Sequence, residues 1–508
     1  MDLDRIKELQ QRREVAYSMG GKERLKELSA AGRLNVRERI EELVDRSSWF
    51  EVGLLAEPER RLEKPVPGDG VVTGYGCIEG REVGVIALDP TVLAGTTAPT
   101  SMRKQGRIAE ACGEKGFPLV VLADADGGRI PDVVGWRFSN LPFNFDRFLQ
   151  SPPGRPDIPR VTVALGYSYG DAALHAASAD IVIMTESSSV ALVGPTVVSE
   201  AIGQDVTDEE LGGPMAALKS GNVHAVAVSE SDAITLAKVI LSYLPQNAAE
   251  AAPRWPAILP SVDTAQIQKI IPSDSREGYD VKSVLAAILD DRSTTFLGDQ
   301  RGPGVLTALS RLDGWPVGVI ASQPEANNGV LDPPALAKCN EFVDFCDRFN
   351  LPLLFFQDVP GLMVGISAEA NGVLRGYERL AARLARARVP KLTIVMRKAY
   401  GGGHFALAGK PTNPDFIFGW PSADIGFMAP APGVRTVYRR RLEEMKEDEA
   451  NAFQSDQISQ WEDESAPWEA AAHLSLDDII EPHETREVLI KALSYAWPSG
   501  VRITKAGL

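Results

Sequence analysis

The chain has 508 residues, of which 44% are hydrophobic and 24% charged, and its formal net charge at pH 7 is −16. This length is too great for one hydrophobic core and fits two domains of roughly 200–250 residues each. The negative charge argues against nucleic acid or an anionic membrane as the main partner, because both would repel the protein.

The cysteines and the first residues favour a reducing compartment. The four cysteines form no Cys-x-x-Cys pair and lie in no His cluster with metal-ligand spacing, so neither a disulfide framework nor a metal site is expected. The first five residues are mostly charged and form no apolar signal core, and no run of about 18 apolar residues predicts a membrane span. We therefore expect a cytoplasmic protein, with neither a metal nor a membrane among its partners.

The first half of the chain has the pattern of a helical arm followed by alternating strands and helices. Apolar residues at helical spacing among charges predict a helix over residues 2–47, with a break at Gly20-Gly21. Further along, the pattern predicts strands at 71–78 and 83–88, a helix at 102–115, a strand at 118–123, a Gly-rich loop at 124–130, a strand at 160–165 and a helix at 171–179. This alternation predicts α/β layers.

Prolines interrupt the chain near its middle. Residues 245–272 show little apolar periodicity over much of their length and carry Pro253, Pro256, Pro260 and Pro272. Such composition is typical of a linker between domains. The predicted organisation is a first domain at 1–250 that includes the arm at 1–47, a linker at 251–275, and a second domain at 276–508.

The second half repeats the first. With a shift of 234 residues, the stretch 71–90 matches the stretch 305–324 at nine of twenty positions without a gap, and the letters Val-Gly-Val-Ile-Ala recur at 83–87 and 317–321. The same shift pairs Cys112 with Cys346 and Asp124 with Asp358. A register held over this distance indicates two copies of one fold.

A run of three glycines, Gly401 to Gly403, carries the clearest chemical signal. A strand that enters a helix through glycines leaves unpaired backbone N–H groups at the helix start, and no side chain keeps an anionic oxygen away from them. These are the features of an oxyanion hole, although any tight strand–helix turn shares them. A shift of 231 pairs Tyr169-Gly170 with Tyr400-Gly401, so this turn has a twin in the first half.

The loops that precede the two turns are duplicated as well. Gly127 pairs with Gly361, each three residues after the paired acids Asp124 and Asp358. Two equivalent sites suggest that two oxygens are held. The acids end their strands, and we interpret them as loop anchors or helix N-caps rather than as catalytic groups.

Several motifs together resemble one family. They lie at 36–44, 68–74, 194–195, 209–213 and 279–280, and most clearly at Asp358-Val-Pro-Gly361, Arg397-Lys-Ala-Tyr-Gly-Gly402 and Ile480-Glu-Pro482. Over nearly its whole length the chain resembles the carboxyltransferase β subunit of biotin-dependent acyl-CoA carboxylases, of the propionyl-CoA and methylcrotonyl-CoA kind. The resemblance implies an α/β chain with two tandem crotonase-like domains, each a spiral of ββα units that arose by duplication.

The resemblance also implies the chemistry. Carboxybiotin releases CO₂ beside an acyl-CoA thioester, the α-proton leaves to biotin, and the enolate attacks CO₂. One pair of backbone amides holds the ureido oxygen of biotin and another holds the enolate oxygen, so no Ser/His/Asp set is needed. By position these catalytic pairs are Gly170-Asp171 and Gly402-Gly403. Substrate contacts are expected at Gly127, Gly128, Arg129, Tyr169, Gly361, His404 and Phe405.

The partners follow from the same resemblance. The chain contains no Ala-Met-Lys-Met biotinylation segment and no Gly-rich ATP-binding region. Biotin is therefore expected on a separate carrier chain, together with a separate biotin carboxylase, and a coenzyme A thioester is the expected substrate. The family assembly is a hexamer, in which the first domain of one subunit faces the second domain of another.

Three positions depart from the family pattern. Asp171 stands where a second glycine is common, the family loop Gly-Gly-Ala-Arg is shortened to Gly127-Gly128-Arg129, and Phe405 replaces the aspartate of propionyl-type members. The carboxylate of Asp171 would oppose a forming enolate unless it turns away. Phe405 suggests a different acyl pocket.

Three alternatives remain open. The stretch Gly166-Tyr-Ser-Tyr-Gly170 matches a nucleophile elbow, which would make Ser168 the nucleophile of a serine hydrolase. Asp171 is also compatible with a catalytically altered subunit that binds CoA or partners without chemistry. A biotin-dependent acyl-CoA decarboxylase subunit would use the same fold in the opposite direction.

Overall fold

A computed structural model describes residues 3–142 and 150–497 of the chain. The chain divides into two compact units, Met1–Glu250 and Ala251–Leu508. In the described residues, no helix has both the length and the apolar character needed to cross a membrane.

The amino-terminal arm consists of three helices rather than one. They are α1 (Leu3–Tyr17), α2 (Lys22–Ala30) and α3 (Val36–Leu43). The break at Gly20-Gly21 was predicted, whereas the second break, before α3, was not. Asn35 causes it by forming a capping box with Glu38, in which each side chain satisfies a backbone N–H of the other residue.

The first unit is built on an eight-stranded sheet. Its strands are β1 (Phe50–Val52), β2 (Val71–Ile78), β3 (Arg81–Leu88), β4 (Leu119–Asp126), β5 (Arg160–Tyr169), β6 (Ile181–Thr185), β7 (Ser189–Val190) and β8 (Ala225–Ala227). The order is β1-β2-β3-β4-β5-β6-β8, with β7 paired to β5. The first three strands pair antiparallel and the rest pair parallel, so the carboxyl ends of β4 and β5 lie side by side.

Helices cross between the strands of the first unit. They are α4 (Pro99–Lys115), α5 (Trp136–Ser139), α6 (Asp171–Ser178), α7 (Pro195–Ile202), α8 (Asp208–Gly212), α9 (Pro214–Ser220) and α10 (Glu230–Tyr243), with short 3₁₀ turns at Pro67–Gly70 and Leu93–Gly95. The apolar face of α4 packs on β2 and β3, where Ile108 and Cys112 are fully buried.

The sheet of the second unit has the same order. Its strands are β9 (Thr295–Leu297), β10 (Val305–Leu312), β11 (Trp315–Ser322), β12 (Leu353–Val359), β13 (Lys391–Tyr400), β14 (Phe416–Gly419), β15 (Asp424–Gly426) and β16 (Asp478–Ile479). The order is β9-β10-β11-β12-β13-β14-β16, with β15 paired to β13. Val71 faces Leu88 in the first sheet and Val305 faces Ser322 in the second, which is the same register shifted by 234. The predicted duplication and the tandem fold are confirmed.

Helices also connect the strands of the second unit, and several of them lie between β15 and β16. They are α11 (Ile267–Ile270), α12 (Val281–Ile288), α13 (Pro333–Arg348), α14 (Ile366–Ala370), α15 (Val373–Arg386), α16 (Gly401–Ala406), α17 (Pro430–Val437), α18 (Arg439–Glu443), α19 (Glu447–Ser465), α20 (Pro467–Ala472) and α21 (Thr485–Ala496), with 3₁₀ turns at Thr264–Gln266, Asn327–Gly329, Lys410–Thr412 and Pro482–Glu484.

The stretch 251–275, expected to be a linker, is part of the second unit. It carries the 3₁₀ turn Thr264–Gln266 and helix α11, and Ile267 is fully buried in the core of that unit beside Leu285 and Trp420. The prolines interrupt regular structure there, but apolar residues between them still pack.

Candidate functional site

The two glycine turns occupy equivalent places in the two sheets. In the first unit β5 ends at Tyr169, and Gly170, with φ +62°, leads into α6. In the second unit β13 ends at Tyr400, and Gly401 turns with φ +50°. Side chains rarely adopt this left-handed backbone, so a glycine is needed at both positions.

Each turn touches the Gly-rich loop of its own unit. A Cβ placed on Gly170 would lie 3.0 Å from the Cα of Gly127, and a Cβ placed on Gly403 would lie 2.9 Å from the Cα of Gly361. The loops follow β4 and β12, whose carboxyl ends neighbour those of β5 and β13. The structure therefore brings the predicted turn and loop residues together within each half.

The amides at the first turn differ from the predicted pair. The N–H of Gly170 donates to the carbonyl oxygen of Leu192 at 3.0 Å, so it is already used. The first backbone bond of α6 runs from the Leu174 N–H to the Gly170 oxygen at 3.1 Å, and the amides of Asp171 and Ala172 precede it. The prediction that the Gly170 amide is a free donor is corrected here: Gly170 shapes the turn, and the next two residues carry the amides at the helix start.

The amide pairs predicted for the two turns are not equivalent in position. Because Gly401 is the twin of Gly170, the predicted pair Gly402-Gly403 corresponds to Asp171-Ala172. The pairs derived from sequence were thus displaced by one residue relative to each other. A side chain is tolerated at Asp171, whereas a Cβ on Gly402 would lie 3.0 Å from Leu362 Cδ1.

The carboxylate of Asp171 turns into the protein. Its Oδ1 accepts a hydrogen bond from the Thr97 hydroxyl at 2.8 Å, and the residue is only 8% exposed. Burial raises the pKa of Asp171 to about 6, while the nearby neutral donors of Thr97, Gln105 and the helix start oppose that rise. The carboxylate thus faces Thr97 rather than the solvent side of the turn.

Two predicted substrate contacts of the first unit are structural instead. Arg129 is 5% exposed, and its guanidinium pairs with the buried carboxylate of Asp69 and donates to the Thr96 oxygen at 2.8 Å. The ring of Tyr169 is buried, and its hydroxyl donates to Asp208. Charged and phenolic groups at these depths need internal partners, which is why both point inward rather than toward a ligand.

Of the two substrate contacts predicted near the second turn, His404 is buried and Phe405 is half-buried. The ring of His404 is buried, and its Nδ1 lies 2.8 Å from Gln357 Oε1, so this nitrogen carries the proton and donates. Burial lowers the pKa of His404 to about 4, which keeps the ring neutral at pH 7. Phe405 is half-buried against that ring, with ring centroids 5.6 Å apart. His404 therefore fixes α16 rather than presenting a charge.

The paired acids, which the sequence suggested as loop anchors or helix N-caps, form buried ion pairs near the carboxyl ends of β4 and β12. Asp124 contacts Arg39 at 2.9 Å and also pairs with Arg33, whereas Asp358 contacts Arg397 at 2.7 Å and Lys398 at 3.4 Å. Both carboxylates are almost completely buried. They hold the strand ends beside the turns without facing a ligand.

Sequence reasoning missed Thr97, Gln105 and Gln357, which hold the turns from beneath. No short motif marks them, because their partners lie 47 to 74 residues away along the chain.

The serine hydrolase hypothesis is wrong. Ser168 lies in strand β5 one residue before its end, its exposure is 0%, and its Oγ has no hydrogen-bond partner among the described residues. A nucleophile elbow needs an exposed serine at the turn and a histidine in contact with it. Among the described residues, no group of three His, Cys, Asp or Glu side chains is placed to hold a metal ion.

Comparison with known proteins identifies a family. The model of the carboxyl transferase domain matches residues 27–506. The methylmalonyl-CoA carboxyltransferase 12S subunit of Propionibacterium freudenreichii subsp. shermanii is 33% identical over 498 residues, which cover 96% of this chain and 93% of the relative. The biotin-dependent long chain acyl-coenzyme A carboxylase beta4 subunit of Mycobacterium tuberculosis is 33% identical over 495 residues, covering 96% of this chain and 94% of that protein.

The fold is also that of a solved structure. The crystal structure of the transcarboxylase 12S hexamer, with methylmalonyl-coenzyme A and methylmalonic acid bound, superposes with a TM-score of 0.90. The sequences are 33% identical, and the match covers 99% of this chain and 97% of that one.

Proposed function

This chain belongs to the carboxyl transferase domain family, and we propose that it moves a carboxyl group between biotin, carried on a separate chain, and an acyl-CoA thioester. The observation that carries the proposal is the pair of equivalent strand–turn–helix sites, one in each half, each with two backbone amides at a helix start. The family and the relatives named above support the acyl-CoA substrate and the biotin dependence.

The role of the chain in this reaction is mainly electrostatic. The amides are those of Asp171 and Ala172 in the first turn and those of Gly402 and Gly403 in the second. One turn holds the enolate oxygen of the thioester, and the other holds the ureido oxygen of biotin. Amides fixed at a helix start stabilise an anion without having to reorient when the charge develops. When bound, biotin supplies the carboxyl group and accepts the proton that leaves the thioester.

The second turn is built from consecutive glycines that pack closely against the protein. A Cβ on Gly403 would lie 2.7 Å from Val359 Cγ2 and 2.9 Å from the Cα of Gly361, so nothing larger than hydrogen fits there. The neutral His404 beneath the turn adds no positive charge that would bind an anion permanently. The site therefore favours charge that appears during the reaction over charge that is already present.

The surroundings of each turn support a site between copies of the chain. Exposed apolar side chains lie on the segments next to both turns, namely Leu192, Val193 and Val197 in the first unit and Val364, Ile366 and Phe427 in the second. Such clusters on a monomer mark surfaces that another protein covers. We propose a hexamer, as in the 12S structure, with a biotin carboxyl carrier and a biotin carboxylase as further partners.

A second candidate is the reverse direction, in which a carboxylated thioester gives up its carboxyl group. The name of the P. freudenreichii relative favours it, because methylmalonyl-CoA already carries the carboxyl group. The same amides serve both directions, since they stabilise the enolate that the two reactions share.

A carboxyl-exchange assay tests the proposal. The purified chain is incubated with malonyl-CoA or methylmalonyl-CoA and free biotin, and the decarboxylated thioester is measured. Turnover that requires biotin is expected. Thioester cleavage that is independent of biotin would contradict the proposal, as would the absence of exchange when an acyl-CoA binds tightly. A streptavidin blot of proteins that co-purify from the native cell should show a biotinylated partner.

A further inference from the structure

A buried polar network lies beneath the turn of the first unit, and the matching positions of the second unit are apolar. The network consists of Thr97, Gln105, Asp171 and His175, all at most 8% exposed. The shifts of 234 and 231 residues that relate the two halves place Leu331, Cys339, Gly402 and Ala406 at the same positions. The polar members therefore occur as a set rather than singly.

Hydrogen bonds connect the network to the turn. The Nε2 of His175 lies 2.8 Å from Gln105 Oε1, and burial lowers the pKa of His175 to about 3, so the neutral ring donates to Gln105. The Thr97 hydroxyl donates to Asp171 Oδ1 at 2.8 Å. Within the part of the chain that the structure describes, the Oδ2 of Asp171 and the Nε2 of Gln105 have no hydrogen-bond partner, although both are buried.

The backbone of Thr97 binds the Gly-rich loop on both sides. Its N–H donates to the Gly127 oxygen at 2.9 Å, and its own oxygen accepts from the Arg129 N–H at 2.7 Å. Leu331 makes the same two bonds in the second unit, to the Gly361 oxygen at 3.2 Å and from the Met363 N–H at 2.8 Å. There the Leu331 side chain is fully buried and cannot form a hydrogen bond, so only the two backbone bonds and packing hold the loop.

We propose that Asp171 and Thr97 form a positioning pair that holds the loop 127–129 against the first turn, in the place where the second unit uses Leu331 beside Gly402. This inference rests on the proposed function, because it assigns the pair to the geometry of one of the two amide sites. The carboxylate reaches from the helix that carries the amides to the strand-like segment that carries the loop. The bond between Asp171 and Thr97 therefore fixes the distance between the helix start and the loop 127–129.

Burying the Asp171 carboxylate lowers the stability of the fold, which argues that the residue does more than fill space. A buried carboxylate with one unpaired oxygen destabilises the fold, and burial raises the pKa of Asp171 to about 6. The second unit avoids that cost by using an apolar residue and a glycine at the same positions. A costly buried pair beside the proposed amide site has the pattern of a functional constraint.

Hydrogen exchange tests the pair without depending on turnover. In Asp171→Ala and in Thr97→Val, backbone amides of peptides covering residues 127–134 should exchange at least about tenfold faster than in the unmodified chain, because the bracket loosens. Thr97→Ser keeps the hydroxyl and should exchange like the unmodified chain. The amide of Met363 in the second unit is an internal control and should not change.

Kinetics test whether the pair acts as a unit. Each single substitution should lower kcat for carboxyl exchange about tenfold with a smaller change in KM, and Asp171→Ala combined with Thr97→Val should be no worse than either alone. Installing the residues of the second unit, Thr97→Leu together with Asp171→Gly, should recover part of the rate lost in Asp171→Gly.

The pH profile gives a further readout. The groups that act on Asp171 are neutral donors, and the charged neighbours point elsewhere: Lys104 donates to the oxygens of Gly68 and Val71, and Arg129 pairs with Asp69. Protonation below pH about 6 should weaken the bond from Thr97, so kcat should fall severalfold as the pH is lowered through this value. Asp171→Ala should lack that step.

The outcomes separate this inference from the proposed function. Unchanged exchange of the loop amides in Asp171→Ala would overturn the pair, as would multiplicative losses in the double variant or a faster enzyme in Asp171→Gly. If the unmodified chain performs no carboxyl exchange, the proposed function fails, while the exchange of the loop amides still decides whether the pair holds the loop.

Discussion

The two units solve the same electrostatic problem with residues from different parts of the chain. Asp124 and Asp358 occupy equivalent strand ends, and both are buried. The first is neutralised by Arg33 and Arg39 of the amino-terminal arm, whereas Arg397 and Lys398 of the adjacent strand neutralise the second.

This difference shows what a duplication preserves. A buried carboxylate must be paired, but the counter-charge can come from any segment that reaches it. In the first unit the arm supplies it, and Arg39 also bonds Glu230 of α10 at 2.7 Å, so the arm is tied to the sheet by a network. In the second unit the pairing is local to the sheet. The arm is therefore a structural part of the first unit rather than an appendage.

The helices that follow the two turns are also held by similar contacts from non-equivalent residues. Each is held by a buried hydrogen bond between a histidine and a glutamine, His175 with Gln105 and His404 with Gln357. The two pairs do not occupy equivalent positions: Ala406 is the twin of His175. Burial lowers the pKa of both histidines, so both bonds are made by neutral rings.

Substituting the paired acids should have the largest effect on stability. Asp124→Asn and Asp358→Asn each leave buried cations short of a counter-charge, and each should lower the free energy of unfolding by about 3 kcal/mol. Chemical denaturation measures that loss. Only Asp124→Asn should also release the arm, because only that acid binds it.

Limited proteolysis distinguishes the two variants. Faster cleavage within residues 1–45 is expected for Asp124→Asn and not for Asp358→Asn. Equal protection of the arm in both variants would show that Asp124 is not needed to hold the arm on the sheet.

Blocking the second turn should have the next largest effect, and it concerns activity. In Gly402→Ala the added methyl group meets the flexible Leu362 Cδ1 at 3.0 Å, so the fold should survive while the approach to the amides is obstructed. Carboxyl exchange should fall about 100-fold, the size expected for the loss of one oxyanion contact. Gly403 is less suitable, because a methyl group there would press on the backbone of Gly361.

Gly106→Ala is the matched control. Gly106 lies inside α4, and a Cβ there would meet no atom within 4 Å. It should leave exchange unchanged and keep or slightly raise the melting temperature. Equal exchange rates in Gly402→Ala and Gly106→Ala would remove the second turn from the chemistry.

Removing the serine of the first turn should have the smallest effect. Ser168 is fully buried and its Oγ bonds no other described residue, so Ser168→Ala should keep the exchange rate within about twofold. Its stability should be equal or slightly higher, because an unpaired buried hydroxyl is removed. A loss above tenfold in the exchange assay would reopen a covalent role.

Most of the fold was accessible from the sequence. Strand β2 matches its prediction over residues 71–78, and the predicted strands at 118–123 and 160–165 lengthen to Leu119–Asp126 and Arg160–Tyr169. The extensions were missed because they include Asp124, Asp126 and Gly166, and such residues are unfavourable in isolated strands. Pairing with neighbouring strands overrides that preference.

The candidate site was accessible only in part. The glycine turns and their loops were found from composition and repetition, while the roles of Arg129, Tyr169 and His404 required their partners to be seen. Each of these side chains bonds a residue that is distant in sequence: Asp69, Asp208 and Gln357. Sequence spacing does not encode which way such a side chain turns.

The sequence by itself determined the duplication, the order of strands and helices, and the two glycine turns, because hydrophobic period and glycine placement are local properties that repeat with the chain. Tertiary structure alone decided that the Gly170 amide is already bonded to Leu192, that the carboxylate of Asp171 faces Thr97, and that the arm neutralises Asp124. The physical reason is that buried polar groups take their partners from whatever the fold brings near, and contacts between distant segments leave no periodic trace in the sequence.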